Sequence, residues 1–202
     1  MDFQPFPKIS RLTRPIVITE KIDGTNAQIF IEHLGCLQGT DDDPSIDDPK
    51  FWTVVGDFAM VAGSRTQWIF PGKDNFGFAA WVEVHKEELV SLGPGQHFGE
   101  WWGSGIQRGY NLSKGEKRFS LFNTHRWTGQ APTCCHVAPV LYQGIFDTTA
   151  IDRCLADLAT NGSHAAPGFM KPEGIVVFHT ASGEMFKKTL EKDEQPKGQT
   201  SG

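Results

Sequence analysis

Glu20-Lys21-Ile22-Asp23-Gly24-Thr25-Asn26 is the stretch on which the reading of this chain turns. It sets a lysine at the end of an apolar run and follows it at once with an acid, a glycine and an amide. Ile16-Val17-Ile18 before it and Ala27-Gln28-Ile29-Phe30-Ile31 after it read as strands, by β-branched content and by rough alternation. Lys21 is therefore expected in a tight connection between two strands, lifted from a rigid sheet into a cleft. A lysine so held can act as a nucleophile if its neighbours leave some amine unprotonated. The bare pattern fits a hairpin with a solvated lysine as well.

The bulk properties are those of an ordinary globular chain. At 202 residues and 22.4 kDa, one domain with a substantial core is expected. No apolar run approaches the roughly 20 residues of a membrane helix. Met1-Asp2-Phe3-Gln4-Pro5 lacks the regions of a signal peptide, so the expected location is cytoplasmic (a host cytoplasm if the source is viral). Cys36, Cys134, Cys135 and Cys154 form no disulfide framework, and Cys134-Cys135-His136 lacks the Cys-x-x-Cys spacing of a zinc site. The net charge of −5 argues against coating nucleic acid by bulk electrostatics. A local basic groove is compatible with it, because five of the acids lie in Asp41-Asp42-Asp43-Pro44-Ser45-Ile46-Asp47-Asp48-Pro49, which reads as a solvated loop.

Along the chain, residues 1–15 read as an extended lead-in with Pro5, Pro7 and Pro15. Residues 16–190 read as one α+β domain, with antiparallel sheets and flanking helices around a cleft, and 191–202 as a polar tail. Phe51 to Arg65 is strand-like. Asn75 to Val90 reads as a helix capped by Asp74 or Asn75 and stopped by Gly93-Pro94-Gly95. A second helix is expected from Thr149 to Thr160, with Gly162 as its C-cap. Further strands are expected over Gln96–Trp101, Arg118–Asn123, Glu173–His179 and Glu184–Leu190.

The Lys21 stretch is followed in order by Gly63-Ser64-Arg65-Thr66, Phe98-Gly99-Glu100-Trp101, Phe119-Ser120-Leu121-Phe122, Glu173-Gly174-Ile175-Val176-Val177 and Met185-Phe186-Lys187-Lys188. The series resembles the covalent nucleotidyltransferases, which include ATP-dependent polynucleotide ligases and mRNA capping enzymes. Each motif is weak alone; their shared order over about Ile16 to Leu190 is specific. Asn26, closing Lys-x-Asp-Gly-x-Asn, makes the chain look most like the ATP-dependent RNA ligases. The family's ligases usually append a further domain, so this chain looks like a minimal catalytic core.

The resemblance implies an ATP cleft, a divalent ion (Mg2+ or Mn2+) and a nucleic-acid partner: RNA ends or nicks, with DNA as the alternative. A monomer is expected, with an accessory protein in place of the appended domain as the other option. It further implies that Lys21 becomes covalently linked to AMP, with Asp23 orienting its loop and Gly24 letting backbone approach the nucleotide. Glu20, Arg65, Glu100, Phe119, Glu173 and Lys187 join Lys21 around the nucleotide. Arg65 suits phosphate oxygens, Glu100 the ribose hydroxyls, Phe119 the adenine face, and Glu173 the metal. Phe119 and Phe122 could exchange roles, since strand residues three apart face opposite ways and only one faces the pocket. Lys187 is assigned to the α-phosphate rather than its neighbour Lys188, which points to the other face. Here the chain departs from a Lys-x-Lys form, with Thr189 at the second position. Asn26 is assigned to the terminal ribose or the 5′-phosphate. Arg108, Lys114 and Lys117 are candidates for a clamp on substrate phosphates, against a plain solvated basic loop. A DNA ligase of the same fold, a GTP-dependent capping enzyme and a non-catalytic nucleotide- or RNA-binding module are the competing readings.

Overall fold

A computed structural model describes residues 3–37 and 53–191; the acidic stretch Asp41–Pro49 and the tail beyond Glu191 lie outside the described residues. In chain order the strands and helices are β1 (Pro15–Lys21), β2 (Thr25–His33), β3 (Thr53–Val55), β4 (Phe58–Ser64), β5 (Trp68–Ile69), α1 (Phe78–Leu89) and β6 (Gly95–Gly103). They continue as β7 (Lys117–Leu121), α2 (Thr124–Trp127), β8 (Cys135–Val137), β9 (Val140–Ile145), α3 (Thr148–Asn161), β10 (Gly174–His179) and β11 (Glu184–Thr189). No helix among the described residues is long and apolar enough to cross a membrane. The mixture is α+β, as expected, but the chain divides into two compact units, with breaks between Lys21 and Ile22 and between Ala138 and Pro139.

One unit is built on a four-stranded antiparallel sheet in the order β11-β10-β1-β9. The period of two sends Ile16 and Ile18 of β1 to one face, where they are fully buried against Ile175 and Val177 of β10 and Cys154 and Leu158 of α3. Asp147 starts α3 by accepting a hydrogen bond from the Thr149 amide at 2.8 Å, and Gly162 ends it at φ 81°. Val17, Thr19 and Lys21 consequently look away from α3.

The other unit carries a sheet in the order β3-β4-β2-β6-β7-β8, with β5 paired to β4. Its pairs are antiparallel except β7–β8, which is parallel, a departure from the expected all-antiparallel arrangement. Ala27, Ile29 and Ile31 of β2 join Trp101, Phe119 and Leu121 beneath α1, whose Phe78, Ala79, Val82 and Leu89 complete the core. Helix α1 starts at Gly77, in the left-handed region at φ 84°, which favours glycine. Asp74 accepts from the Ala79 amide at 2.7 Å and the Ala80 amide at 3.0 Å, capping α1 from upstream.

The expected hairpin about Lys21 is corrected by this topology. β1 pairs with β9 and β10, whereas β2 pairs with β4 and β6, so the two strands belong to different sheets. Residues 22–24 are a crossover between sheets, and no ladder joins the strands on either side.

Candidate active site

In the four-stranded sheet Lys21 is the last residue of β1 and lies opposite Gly174. Its Nζ stands 2.5 Å from Glu173 Oε2, the side chains being 20% and 8% exposed. The β10–β11 register places Val176 opposite Lys187 and Ile175 opposite Lys188. Because Ile175 turns into the core beneath α3, Lys188 shares that face and reaches Asp152 of α3 at 3.1 Å. Lys187 is exposed on the other face, which it shares with Lys21, while Thr189 completes the Lys21–Gly174 row.

Glu20 points the opposite way from Lys21 and is 2% exposed. Its carboxylate accepts hydrogen bonds from Ser163 Oγ at 2.6 Å and from the backbone amides of His164 and Ala165, both at 2.8 Å. Ser163 Oγ accepts in turn from the Ala166 amide at 3.0 Å. A buried carboxylate is tolerable only with such partners.

In the other unit the crossover is anchored residue by residue. The Asp23 amide donates to Tyr110 Oη at 2.7 Å, Arg108 Nε donates to Asp23 Oδ2 at 2.9 Å, and the Gly24 amide donates to Glu100 Oε1 at 3.1 Å. A Cβ on Gly24 would collide with the Trp101 carbonyl oxygen and come within 2.7 Å of Trp102 Cβ, so glycine is required there by strand β6 itself. Tyr110 is 1% exposed, meets Trp102 edge-on at 5.0 Å between centroids, and has a left-handed backbone with φ 52°. Asn26, Glu100 and Ser120 form one row across β2, β6 and β7, facing away from α1. The Phe122 amide donates to the Phe98 carbonyl at 2.9 Å, extending that ladder one step, and both rings (40% and 45% exposed) share the face of Glu100. Arg65 is exposed in the turn between β4 and β5.

A family model described as RNA ligase matches residues 14–189. The chain belongs to the RNA ligase family. Solved structures of Naegleria gruberi RNA ligase mutants are similar in fold. One, with AMP and Mn, has TM-score 0.57 at 18% identity, covering 88% of this chain and 50% of that one. Another, with ATP and Mn, has TM-score 0.57 at 18% identity, covering 89% and 51%. An apo mutant gives 0.56 at 18%, covering 88% and 50%. This chain spans about half the length of the Naegleria ligases it matches. Comparison with curated proteins finds no match.

Within this RNA ligase fold several expected residues sit elsewhere than foreseen. Phe119 is fully buried, 5.0 Å from Phe78 and 5.8 Å from Trp81 between ring centroids, so it is a core residue, and Phe122 is the exposed member of the two. Glu20 directs its carboxylate to residues 163–165, on the face opposite Lys21. Arg108 is occupied by Asp23, and Lys117 Nζ donates to the Phe76 carbonyl at 2.5 Å. Both brace the fold, and only Lys114 of the expected clamp is exposed without such a bracing bond. Tyr110 and Ser163 were not foreseen. A turn-like Gly109-Tyr110-Asn111 was the only signal for the first, and the second lies in a loop with no motif.

Proposed function

We propose that this RNA ligase family member joins RNA ends in three ATP-dependent steps. Lys21 Nζ attacks the α-phosphorus of ATP; the P–N bond forms as the bond to pyrophosphate breaks. AMP then passes from Lys21 to an RNA 5′-phosphate. A 3′-hydroxyl attacks that phosphate, expels AMP and seals the strand. The observation that supports this best is the Lys21–Glu173 pair, 2.5 Å apart, on a sheet face that also carries Lys187. Phosphoryl-type transfer asks for in-line positioning and charge neutralisation more than for covalent machinery.

Glu173 would hold a divalent metal. A carboxylate with low exposure suits Mg2+ or Mn2+, and such an ion supplies charge neutralisation at the phosphates. With Glu173 engaged by such an ion, Lys21 Nζ would no longer be tied to that carboxylate and would be available to the α-phosphorus. Lys187 neutralises the α-phosphate as pyrophosphate departs. Arg65 serves phosphate oxygens, Glu100 the ribose hydroxyls, Asn26 the RNA end and Phe122 the adenine ring. Asp23 acts on geometry: with Arg108 and Tyr110 it fixes the backbone that follows the nucleophile. Naegleria ligase structures with ATP and Mn support the choice of nucleotide and ion.

The test is incubation with α-labelled ATP and Mg2+ or Mn2+, beside Lys21→Ala. Acid-labile, base-stable label on the parent and none on the variant is expected. ATP binding without label under both ions would refute the covalent step. Label from GTP in preference to ATP would refute the ligase assignment, and sealing of DNA in preference to RNA would refute the substrate.

A further inference from the structure

Outside the proposed active site, the seven-stranded unit gathers three side chains of metal-ligand type. His85 and Glu88 are one helical turn apart on α1, and Cys134 lies in the segment just before β8. A ring nitrogen of His85, a carboxylate oxygen of Glu88 and Cys134 Sγ all lie within 4.8 Å of one another. His85 Nδ1 is 3.2 Å from Glu88 Oε1. For comparison, donors about 2.0–2.3 Å from a tetrahedral zinc stand roughly 3.3–3.8 Å apart, so small side-chain rotations close the set.

The groups that would orient these side chains are already in place. Thr133 Oγ1 donates to Glu88 Oε2, and the Cys134 backbone amide also donates to that carboxylate, which fixes its direction. The His85 ring lies 4.8 Å from the Trp81 ring, which limits its rotation. His85 and Glu88 are 30% and 42% exposed and Cys134 is half-buried, so an ion has access from solvent. Cys135 Sγ, 3.9 Å from Cys134 Sγ, belongs to the buried core beneath α1.

We infer that His85, Glu88 and Cys134 form a binding site for a borderline-soft divalent ion of the zinc class, with three protein ligands and one position left to water. The nitrogen–oxygen–sulfur set selects against Mg2+, which takes oxygen ligands. It is therefore chemically separate from the ion proposed at Glu173. The ion would clip the segment before β8 to helix α1, linking residues 133–135 to the core helix of this unit. The spacing of Cys134-Cys135-His136 excludes a site made from those residues alone; the fold supplies the missing ligands from α1.

Co(II) titration of the full chain tests this. One equivalent should give thiolate-to-cobalt charge-transfer absorption and the intense visible bands of a tetrahedral ion. Zn(II) should abolish both, and a large excess of Mg(II) should leave them. Cys134→Ser should remove the charge-transfer band, His85→Ala should weaken binding at least about 10-fold, and Cys154→Ser should change neither. Zn(II) should raise the urea midpoint of the parent and leave that of Cys134→Ser unmoved. Absence of the charge-transfer band at one equivalent, or its survival in a folded Cys134→Ser protein, overturns the assignment.

Discussion

Glu20 and Lys21 are neighbours in sequence with opposite tasks, and replacing Glu20 separates them. Glu20→Ala leaves a buried hydroxyl, that of Ser163, and two partly buried amides, those of His164 and Ala165, without their acceptor. Hydrogen bonds to a charged group contribute about 1.5–3 kcal/mol each, and stranding buried donors adds to the loss, though part is recovered by water entering the gap. Taking about 4 kcal/mol for the network, the loss is a large part of the roughly 5–15 kcal/mol that holds a domain folded. With a urea slope of about 2 kcal/mol per molar, the midpoint should fall by about 2 M. Ser163→Ala removes one of the three bonds to Glu20 and should shift the midpoint by less than half as much. Lys21→Ala should abolish adenylylation, and its midpoint should fall as well, because Glu173 (7% exposed) loses the ammonium 2.5 Å from its carboxylate. The assay is equilibrium urea unfolding followed by tryptophan fluorescence on the three variants. A Glu20→Ala protein that unfolds within about 0.5 kcal/mol of the parent would show that the carboxylate does not hold the 163–165 loop. A specific loss of ATP affinity at unchanged stability would return Glu20 to the nucleotide site.

Phe122→Ala should weaken ATP binding about 5- to 150-fold, the equivalent of losing 1–3 kcal/mol of base stacking, with little change in stability. Phe119→Ala should instead cost about 3–5 kcal/mol of stability, measured by the same unfolding curves. Lys187→Ala should slow lysine adenylylation about 100-fold or more, whereas Lys188→Ala breaks only an exposed pair with Asp152 and should label like the parent. His97 is buried with its Nε2 2.9 Å from the Gly93 carbonyl, and burial holds its pKa below the usual 6.5. The unfolded chain therefore binds the proton more readily, so this contribution is complete above pH 6.5 and is lost as pH falls through 6.5 toward the folded value. The acid-side decline in urea midpoint should be shallower in His97→Gln.

Much of the fold was legible because period and punctuation are local. The β-branched run Ile16-Val17-Ile18 announced a strand, and the period of two separated Lys187 from Lys188 before any partner was known. Asp74 and Gly162 marked helix ends through chemistry that operates within one turn. What the sequence could not reveal depends on distant partners. A chain that turns back as a hairpin and one that crosses to another sheet have the same local propensities; the pairing of β1 with β10 and of β2 with β6 distinguishes them. The burial of Glu20 depends on a loop 143 residues further on. The spacing of Phe119 and Phe122 said that they face opposite ways, but only the packing of Phe78 and Trp81 says which one is inside.

Tyr110 shows the same limit at the candidate site. Nothing local announces a non-glycine residue at φ 52°, a conformation that costs free energy and persists when its surroundings fix it. Here the surroundings are Trp102 at its ring and the Asp23 amide at its hydroxyl. The crossover after Lys21 is thus held by a side chain from a loop that no motif marks. Its conformation depends on long-range bonds to Tyr110, Arg108 and Glu100, and the Lys-x-Asp-Gly pattern alone does not specify it. Chains that share the pattern can then differ in how firmly the residues after their lysine are held, and that difference lies in residues outside the motif.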